Sequence, residues 1–185
     1  MSKNKPFGKN DHVRIVKTIA EGLKAAGALN SYLELGIRKG PCFNEVSPLV
    51  NGPAYAVDIN DCYKDIKHNK NLVWYEGTST KFLKNHNSDK KFDLVFIDAD
   101  HSHKASLNDF TLVLPHVNDN GLILLHDTYP PEKKFTSSKF CSDTYKTANY
   151  IRNHYPECEI TTIPIFFGIS IIRKLNRQLL WKKNG

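Results

Sequence analysis

The sequence predicts an α/β protein with a doubly wound, seven-stranded sheet that is mostly parallel and ends in an antiparallel hairpin. Seven short apolar runs alternate with segments of helical periodicity, a pattern typical of parallel strands joined by crossover helices. The last two runs are separated only by a tight linker around Pro164 and Ile165, which is too short for a parallel crossover, so they are expected to pair antiparallel. The 185 residues, 40% of them hydrophobic and 24% charged, have the size and composition of one globular domain.

The elements follow from this alternation in chain order. The predicted strands occupy residues 31–35, 54–59, 72–77, 92–98, 121–127, 158–164 and 166–172. A first helix precedes the sheet, because Asn10 or Asp11 can cap it and apolar residues recur at helical spacing until Gly27 ends it. Further helices are predicted at 40–50, 62–68, 79–86, 103–115 and 142–154. We therefore divide the single domain 1–185 into an N-terminal helix (1–29), a core (30–172) and a basic tail (173–185).

The net charge of +7 is concentrated at the two ends of the chain. Residues 1–10 and 173–185 hold eight basic and no acidic residues, which leaves 18 basic and 19 acidic residues for the body. Basic ends can bind nucleic acid or an anionic surface, and they can equally be solvated or contact a second copy of the chain in a homodimer. Nucleic-acid binding and homodimer formation therefore stay open.

The cellular setting is expected to be the cytoplasm. No apolar run approaches the roughly 20 residues of a membrane span, and the first ten residues lack the apolar segment of a secretory signal. The four cysteines lie far apart without CxxC spacing, so we predict free thiols rather than a zinc site or a disulfide scaffold.

Candidate site residues are those that follow the strands, because ligands of open parallel sheets bind outside the carboxyl ends of the strands. Gly36 and Gly40 follow the first strand and permit a tight turn against a ligand. Asp58 ends the second strand, 24 positions after Glu34, and an acid at about this spacing commonly binds ribose hydroxyls; the alternative is a turn residue. Thr78 follows the third strand and can cap a helix or contact a base.

The fourth predicted strand ends in "FIDADHSH", which places two aspartates and two histidines within six positions. Asp98 ends a buried strand at the ligand edge. The histidines have two interpretations that the spacing does not separate. His101 and His103 can accept a proton from a substrate, since an imidazole titrates near neutrality, or they can cap and cover the following helix.

Five stretches, "YLELGIRKG", "AVDIN", "EGTS", "FDLVFIDADHSH" and "NGLILLHDTY", occur in an order that resembles class I S-adenosylmethionine-dependent methyltransferases, which have a Rossmann-like fold. The resemblance covers residues 30–172, and it is strongest to the small O-methyltransferase-like group of methyltransferase family 24, related to catechol and caffeoyl-CoA O-methyltransferases. It implies one methyltransferase domain and S-adenosylmethionine as cofactor. The cofactor-binding residues that it implies are Glu34, Gly36, Ile37, Arg38, Gly40, Asp58, Ile59, Gly77, Thr78, Ser79, Asp98 and Asp100.

The catechol and caffeoyl-CoA relatives also imply a metal site. They hold a divalent cation with an aspartate after the fourth strand and an Asp-Asn pair after the fifth, and the matching residues here are Asp98, Asp127 and Thr128. Oxygen ligands suit Mg²⁺ or Ca²⁺. Thr128 departs from the family's asparagine, and replacement of this ligand by His126 or His101 would favour a transition metal.

The catalytic residues expected on this resemblance are His103 as the first choice of base, His101 as the second, and Asp98. The acceptor is expected to lie against the long insertion 128–143. Tyr129, Phe135 and Lys133 belong to it and suit an aromatic or anionic molecule; the alternative is a surface loop without a substrate role.

Together these observations predict a methyltransferase that acts on an oxygen of a small hydroxylated acceptor, with possible help from a metal ion. Two alternatives remain at this point. One is a methyltransferase acting on RNA or another anionic polymer, and the other is a non-catalytic S-adenosylmethionine-binding regulatory or partner protein.

Overall fold

The computed structural model describes residues 11–175, which form one seven-stranded sheet in the order β3-β2-β1-β4-β5-β7-β6. Its strands are β1 (Tyr32–Leu35), β2 (Ala54–Asp58), β3 (Leu72–Glu76), β4 (Phe92–Ile97), β5 (Val117–His126), β6 (Cys158–Ile163) and β7 (Ile169–Lys174). The first five strands pair in parallel, whereas β7 pairs antiparallel with both β5 and β6. The predicted fold class is therefore confirmed.

Helices cover both faces of the sheet. They are α1 (Asp11–Ala25), α2 (Phe43–Val46), α3 (Ser79–Asn85), α4 (His103–Val113) and α5 (Tyr145–His154). One buried cluster joins α1 and α2 to one face, and a second joins α3, α4 and α5 to the other. In β1, Tyr32 belongs to the first cluster, whereas Leu33 belongs to the second, because successive side chains of a strand point to opposite faces. The strands are thus buried on both sides, as a sheet with crossover helices requires.

The strand order reverses between β1 and β4, which lie side by side at the centre of the sheet. At such a switch point the segments that follow the two strands diverge to opposite faces and leave a crevice between them. Both segments carry residues singled out in the sequence. The topology therefore places the candidate site at the carboxyl ends of these two central strands.

The helix predicted at 62–68 is wrong: only Tyr63–Asp65 form a single 3₁₀ turn there. The side chain of Asn44 donates to the carbonyl of Asp65 and accepts from the N–H of Lys67, at 3.1 and 2.5 Å. Because the Asn44 side chain already bonds these two backbone groups, they do not need partners within a helix. The helix predicted at 40–50 is likewise shortened to α2 and a 3₁₀ turn, Ser47–Leu49, that contains Pro48.

The strand predicted at 166–172 begins three residues late, at Ile169. Phe166 and Phe167 have positive φ angles of 38° and 67°, and Gly168 has a φ of 89°. A Cβ on Gly168 would lie 2.5 Å from the backbone nitrogen of Tyr129, so this turn is packed against the chain that leaves β5. The two phenylalanines belong to the hairpin turn, despite their high strand propensity.

Strand β5 begins four residues earlier than predicted, at Val117. Gly121, the first residue of the predicted strand, lies inside β5, where a Cβ would come within 2.8 Å of the carbonyl oxygen of Phe92. The pairing with β4 shifts register between Phe92 and Leu94, and a glycine in a strand often marks such an irregularity.

Most of the basic tail 173–185, the first ten residues and the possible cap Asn10 lie outside the described residues, so the polymer-binding prediction stays a prediction. Arg173 and Lys174 belong to β7, and Arg173 forms an ion pair with Glu159 of β6 at 2.5 Å. Within residues 11–175, no helix has both the length and the apolar character to cross a membrane.

Candidate active site

A cavity of about 1110 Å³ runs along the carboxyl ends of the parallel strands. It extends from the turn after β3, past β2 and β1, to the ends of β4 and β5, where α1 and the hairpin turn close it. Of the residues predicted from the sequence, its wall includes Glu34, Gly36, Ile37, Arg38, Asp58, Ile59, Gly77, Thr78, Ser79, Asp98, Asp100, His101 and Asp127.

The turn after β1 depends on Gly36. Its φ is 88°, and a Cβ there would lie 2.4 Å from the backbone oxygen of Asp98, so a side chain is excluded. Gly40 has a φ of 67° and faces Ile66 rather than the cavity. The prediction of a glycine-dependent turn holds for both residues, but only Gly36 reaches the cavity wall.

Asp58 holds this turn in place from the end of β2. Its Oδ2 accepts hydrogen bonds from the backbone N–H groups of Ile37 and Arg38, at 2.8 and 2.9 Å. Its Oδ1 accepts from the N–H of Asn60 at 2.8 Å. Burial alone would raise the pKa of Asp58, but these N–H donors outweigh it and keep the pKa below its ordinary value. The carboxylate is therefore ionised and presents charge to the middle of the cavity.

Glu34 lies at the centre of the site and is 1% exposed. The hydroxyl of Tyr32, two residues earlier on the same face of β1, donates to its Oε2 at 2.6 Å. Burial raises the pKa of Glu34 to about 8, although the bonds from Tyr32 and from the backbone of Phe43 oppose the rise. Glu34 is therefore largely protonated at neutral pH until a positive charge comes next to it.

The turn after β3 forms one end of the cavity. Thr78 caps α3, because its Oγ1 accepts from the N–H of Lys81 at 3.2 Å. Ser79, the first residue of α3, donates to the carboxyl group of Asp109 on α4 at 2.5 Å. Both ends of this bond line the cavity. Asp109 was not identified from the sequence, where it reads as an ordinary polar position of a helix.

At the opposite end, His101 bridges the ends of β4 and β5. Its Nδ1 lies 2.7 Å from Oδ2 of Asp127 and 2.8 Å from the carbonyl oxygen of Phe140. Because both neighbours are acceptors, Nδ1 carries a proton. Its Nε2 lies 3.6 Å from Oδ1 of Asp98. The bond to Asp127 is the main reason that the pKa of His101 rises to about 9, against the effect of burial.

His126 forms a second link between these strands. Its Nδ1 lies 2.9 Å from Oδ1 of Asp98, and its Nε2 lies 3.2 Å from the carbonyl oxygen of Phe166. Burial would lower the pKa of His126, but the charges of Asp98 and Asp127 outweigh it and raise the pKa. Two carboxylates and two imidazoles are thus collected within one end of the cavity.

Asp98, His101 and Asp127 have the arrangement of a cation site. One donor atom from each lies within 4.8 Å of the others. Asp127 adopts a φ of 60°, a conformation that costs free energy for any residue other than glycine and is often retained at functional sites. A mixed nitrogen and oxygen donor set favours a transition metal over Mg²⁺ or Ca²⁺.

Thr128, the third ligand expected from the resemblance, points elsewhere. Its Oγ1 accepts a hydrogen bond from the hydroxyl of Ser170 at 2.9 Å, and its side chain does not line the cavity. Because Asp127 has a positive φ, the chain turns sharply after β5 and directs the next residue towards β7. His101, which was considered as a replacement, occupies the position beside the two aspartates.

His103, the first choice of base, lies outside the cavity wall. Its Nδ1 is 2.8 Å from Oγ1 of Thr147 on α5, and its backbone N–H donates to Oδ1 of Asp143 at 2.6 Å. As the first residue of α4, it points along the helix towards α5 rather than towards the ends of the strands. Its contacts join two helices, whereas His101 lies in the cavity.

The insertion 128–143 contributes different residues from those predicted. Tyr129, Phe135 and Lys133 do not line the cavity, whereas Ser138, Lys139 and Phe140 do. Tyr129 is 54% exposed and borders a separate small pocket on the other side of the insertion. The predicted position of the insertion beside the site is correct, but its second half, not its first, faces inward.

His12 of α1 is another cavity residue that was not predicted from the sequence. It lines the cavity, stacks on Phe166 with ring centroids 5.2 Å apart, and lies 4.6 Å from the ring of His126. Its Nδ1 is buried without a hydrogen-bond partner among the described residues. Burial, reinforced by His126, lowers its pKa to about 4. The available signal was its spacing of four and eight residues from Val16 and Ala20, which places it on the buried face of α1.

Comparison with known proteins identifies the family. The model of a family described as a methyltransferase domain matches residues 33–128, which is more than half of the chain. Among curated proteins no sequence matches.

Solved structures share the fold at low sequence identity. An O-methyltransferase from Bacillus cereus, solved with S-adenosylhomocysteine (SAH), is 14% identical with a TM-score of 0.69, covering 87% of this chain and 80% of that one. The O-methyltransferase TomG from Streptomyces achromogenes, involved in tomaymycin synthesis and solved with S-adenosylmethionine, is 12% identical with a TM-score of 0.67, covering 88% and 80%. The SAH-bound methyltransferase PaMTH1 from Podospora anserina is 14% identical with a TM-score of 0.68, covering 88% and 78%.

The family match begins at β1 and ends just after β5, so it contains the ends of all five parallel strands, which line the cavity. The turn of the C-terminal hairpin, which also lines the cavity, lies outside the matched residues. The chain belongs to this methyltransferase-domain family and is a class I S-adenosylmethionine-dependent methyltransferase.

Proposed function

We propose that this enzyme methylates a hydroxyl oxygen of a small acceptor and that a divalent cation assists the transfer. The observation that carries the proposal is the cluster of Asp98, His101 and Asp127 at one end of the cavity. The likeness to O-methyltransferase structures supports the class of reaction, and the size of the cavity suits a cofactor together with a small molecule.

The cofactor is proposed to lie along the ends of β3, β2 and β1. Its adenine would lie by the turn after β3, its ribose by Asp58 and its methionine part by Glu34. The ionised Asp58 suits ribose hydroxyls as donors, and Glu34 suits the ammonium group, whose positive charge favours ionisation of this buried acid. This placement directs the methyl group towards the cluster of aspartates and histidines.

The acceptor is proposed to lie between that cluster and the aromatic wall made by Phe140, Phe166 and Phe167. These rings offer an apolar surface, and Lys139 beside them would favour an anionic substituent. His12 lines the cavity with a buried Nδ1 that has no hydrogen-bond partner among residues 11–175, and its lowered pKa of about 4 keeps it neutral at physiological pH. We propose that it accepts a hydrogen bond from the acceptor.

The donor set fits a cation, and the residues that would hold it are Asp98, Asp127 and His101. Bound there, a divalent ion would lower the pKa of an acceptor hydroxyl. Asp127 has a further role, because its bond to the Nδ1 proton of His101 orients the ring so that Nε2 lies beside Asp98. Because the pKa of His101 is about 9 in the metal-free protein, Nε2 also carries a proton at neutral pH. Loss of that proton frees one lone pair on Nε2 for either metal ligation or proton acceptance. We propose metal ligation.

In the transfer itself, the acceptor oxygen attacks the methyl carbon in line, the O–CH₃ bond forms as the S–CH₃ bond breaks, SAH is the leaving group, and the hydroxyl proton passes to bulk solvent. The chain's contribution is to orient the acceptor against the aromatic wall and to keep water away from the methyl group. A small-molecule acceptor and a cytoplasmic setting are part of the proposal, and the four free cysteines support the latter.

The test has two parts. The enzyme, treated with a chelator, is incubated with S-adenosylmethionine and a panel of phenols, catechols and sugars, and methylated products are identified by mass spectrometry. We expect a product only after a divalent cation is restored, and we expect Mn²⁺ or Co²⁺ to restore activity better than Mg²⁺ because the donor set includes a histidine nitrogen. Activity that is indifferent to chelation would exclude the metal role, and a failure to bind SAH in calorimetry would contradict the cofactor placement.

The second part uses Co²⁺ as a spectroscopic probe. We expect visible absorption from Co²⁺ bound to the wild-type enzyme and weaker binding by His101→Ala. Unchanged Co²⁺ binding combined with lost methyl transfer would instead assign His101 the role of base. His103→Ala is the matched control, because that histidine lies outside the cavity.

A further inference from the structure

Asp109 is a buried acid on the cavity wall that the proposed chemistry does not use. It lies on α4, is 3% exposed, and its pKa is raised to about 6, mainly by burial. Burying a carboxyl group costs free energy unless hydrogen bonds compensate it. Because Asp109 faces the cavity, a ligand bound there is one source of such hydrogen bonds.

The chain satisfies Asp109 only in part. Ser79 donates to its Oδ1 at 2.5 Å, and Asn108 also lowers its pKa by hydrogen bonding. A carboxyl group offers about four acceptor positions, so these two donors leave acceptor capacity. Next to this pair, Asn108 donates to Thr80 at 2.9 Å, which fixes the start of α3 against α4.

The residues around Asp109 indicate which kind of ligand could donate a hydrogen bond to its carboxyl group. The wall at this end combines the backbone of Gly77, the cap residue Thr78 and the small side chain of Ala105. These small residues leave room beside the carboxyl group of Asp109. The adenine of the cofactor proposed above is a flat ring with an exocyclic amino group, and that group can donate a hydrogen bond to a carboxylate.

We propose that Asp109 sets the cofactor specificity of this enzyme by accepting a hydrogen bond from the exocyclic amino group of the adenine. Ser79 holds the carboxyl group in position through its other oxygen. The inference rests on the cofactor placement under Proposed function, and it adds a specificity-determining residue on α4 to the turn after β3. The competing explanation is a tether that only joins α3 to α4.

The experiment compares two ligands by calorimetry at pH 7.5. SAH carries the amino group, and S-inosylhomocysteine carries an oxo group in its place. The variant Asp109→Asn keeps an oxygen for Ser79 but replaces the second oxygen by an NH₂ donor. A hydrogen bond to a charged group is worth about 1.5–3 kcal/mol, so we expect the wild-type protein to prefer SAH by roughly tenfold to a hundredfold.

For Asp109→Asn we expect that preference to disappear or to reverse, because the new NH₂ group repels an amino group and donates to an oxo group. Asp89→Asn, the same change at an exposed acid, should keep the wild-type preference. An equal loss of affinity for both ligands with a lower melting temperature would show a tether and overturn the inference. An unchanged preference in the variant would overturn it as well.

The wild-type measurements separate this inference from the proposed function. If the wild-type protein binds SAH but the variant shows no change in preference, only the role of Asp109 fails. If the wild-type protein binds neither ligand, the cofactor placement fails and the role of Asp109 fails with it.

Discussion

Nδ1 of His101 lies 2.7 Å from a carboxylate oxygen of Asp127, so a residue of the segment after β4 is tied to the residue that directly follows β5. These two residues are 26 positions apart in the chain. Their contact is possible because β4 and β5 are parallel neighbours whose carboxyl ends meet at one edge of the sheet. The bond fixes the ring of His101 beside Asp98 and so builds the candidate cation site.

The first prediction concerns pH and stability in the metal-free protein. The pKa of His101 is about 9 in the folded state and near 6.5 when unfolded, so the folded state binds the proton more tightly. Its contribution to stability is fully present below pH 6.5 and is lost as the pH rises to 9. We expect the urea midpoint to fall over this range in the presence of a chelator.

A variant that lacks the histidine separates the contribution of His101 to this pH dependence from that of Glu34. The raised pKa of Glu34 also lowers stability as the pH rises from 4.5 to about 8. His101→Asn should show a shallower decline between pH 6.5 and 9 than the wild-type protein. Identical slopes in the two proteins would rule out a protonated His101 as the source.

The second prediction tests Asp58. Replacement by alanine removes the acceptor of the Ile37 and Arg38 N–H groups and the proposed ribose contact. Loss of hydrogen bonds to a charged group costs about 1.5–3 kcal/mol, so SAH affinity should fall at least tenfold in calorimetry. Asp61→Ala, at a neighbouring exposed acid, is the control and should bind normally. An Asp58→Ala protein of normal affinity would remove Asp58 from the ribose site.

The third prediction concerns a proton released by Glu34. Its pKa of about 8 keeps it largely protonated at pH 7, and an ammonium group placed beside it favours ionisation. Binding of S-adenosylmethionine should therefore release up to about one proton, the one that Glu34 loses when it becomes ionised. Calorimetry in phosphate and Tris buffers measures it as a buffer-dependent enthalpy.

Glu34→Gln should bind with an enthalpy that no longer depends on the buffer. If the wild-type enthalpy is the same in both buffers, Glu34 is not the partner of the ammonium group.

The fourth prediction distinguishes a functional from a structural His12. A buried unpartnered nitrogen costs about 1–3 kcal/mol, and a phenylalanine can keep the stacking on Phe166. We expect His12→Phe to have a melting temperature at least equal to that of the wild-type protein but a strongly reduced rate of methyl transfer.

His116→Phe is the control for His12→Phe. Nδ1 of His116 is also buried without a hydrogen-bond partner in the described part of the chain, but His116 does not line the cavity, so its replacement should leave the transfer rate unchanged. A His12→Phe enzyme that transfers at the wild-type rate would remove His12 from the acceptor site.

Much of the site was predictable because it lies directly after strands. Apolar runs revealed β1, β2 and β4, and the polar residues at their ends, Glu34, Asp58 and Asp98, all line the cavity. Parallel pairing then brings these ends to one edge whatever the rest of the chain does.

The site predictions that proved wrong concern residues whose side-chain direction depends on contacts with a segment distant in the chain. His103 and His101 are two positions apart in the same polar stretch, yet one packs on α5 and the other faces Asp127. Local sequence does not separate them, because the start of α4 turns the chain between the two residues.

The alternation of strands and helices, the antiparallel end of the sheet and the row of acids along its edge can all be derived from the sequence, because hydrophobic periodicity and connection length are local properties. Three features of the site depend on long-range packing instead: α1 brings His12 into the cavity, Thr128 bonds to Ser170, and His101 lies beside Asp98 and Asp127. Each of these depends on contacts between segments far apart in the chain and on a positive φ at Asp127, which no local pattern encodes.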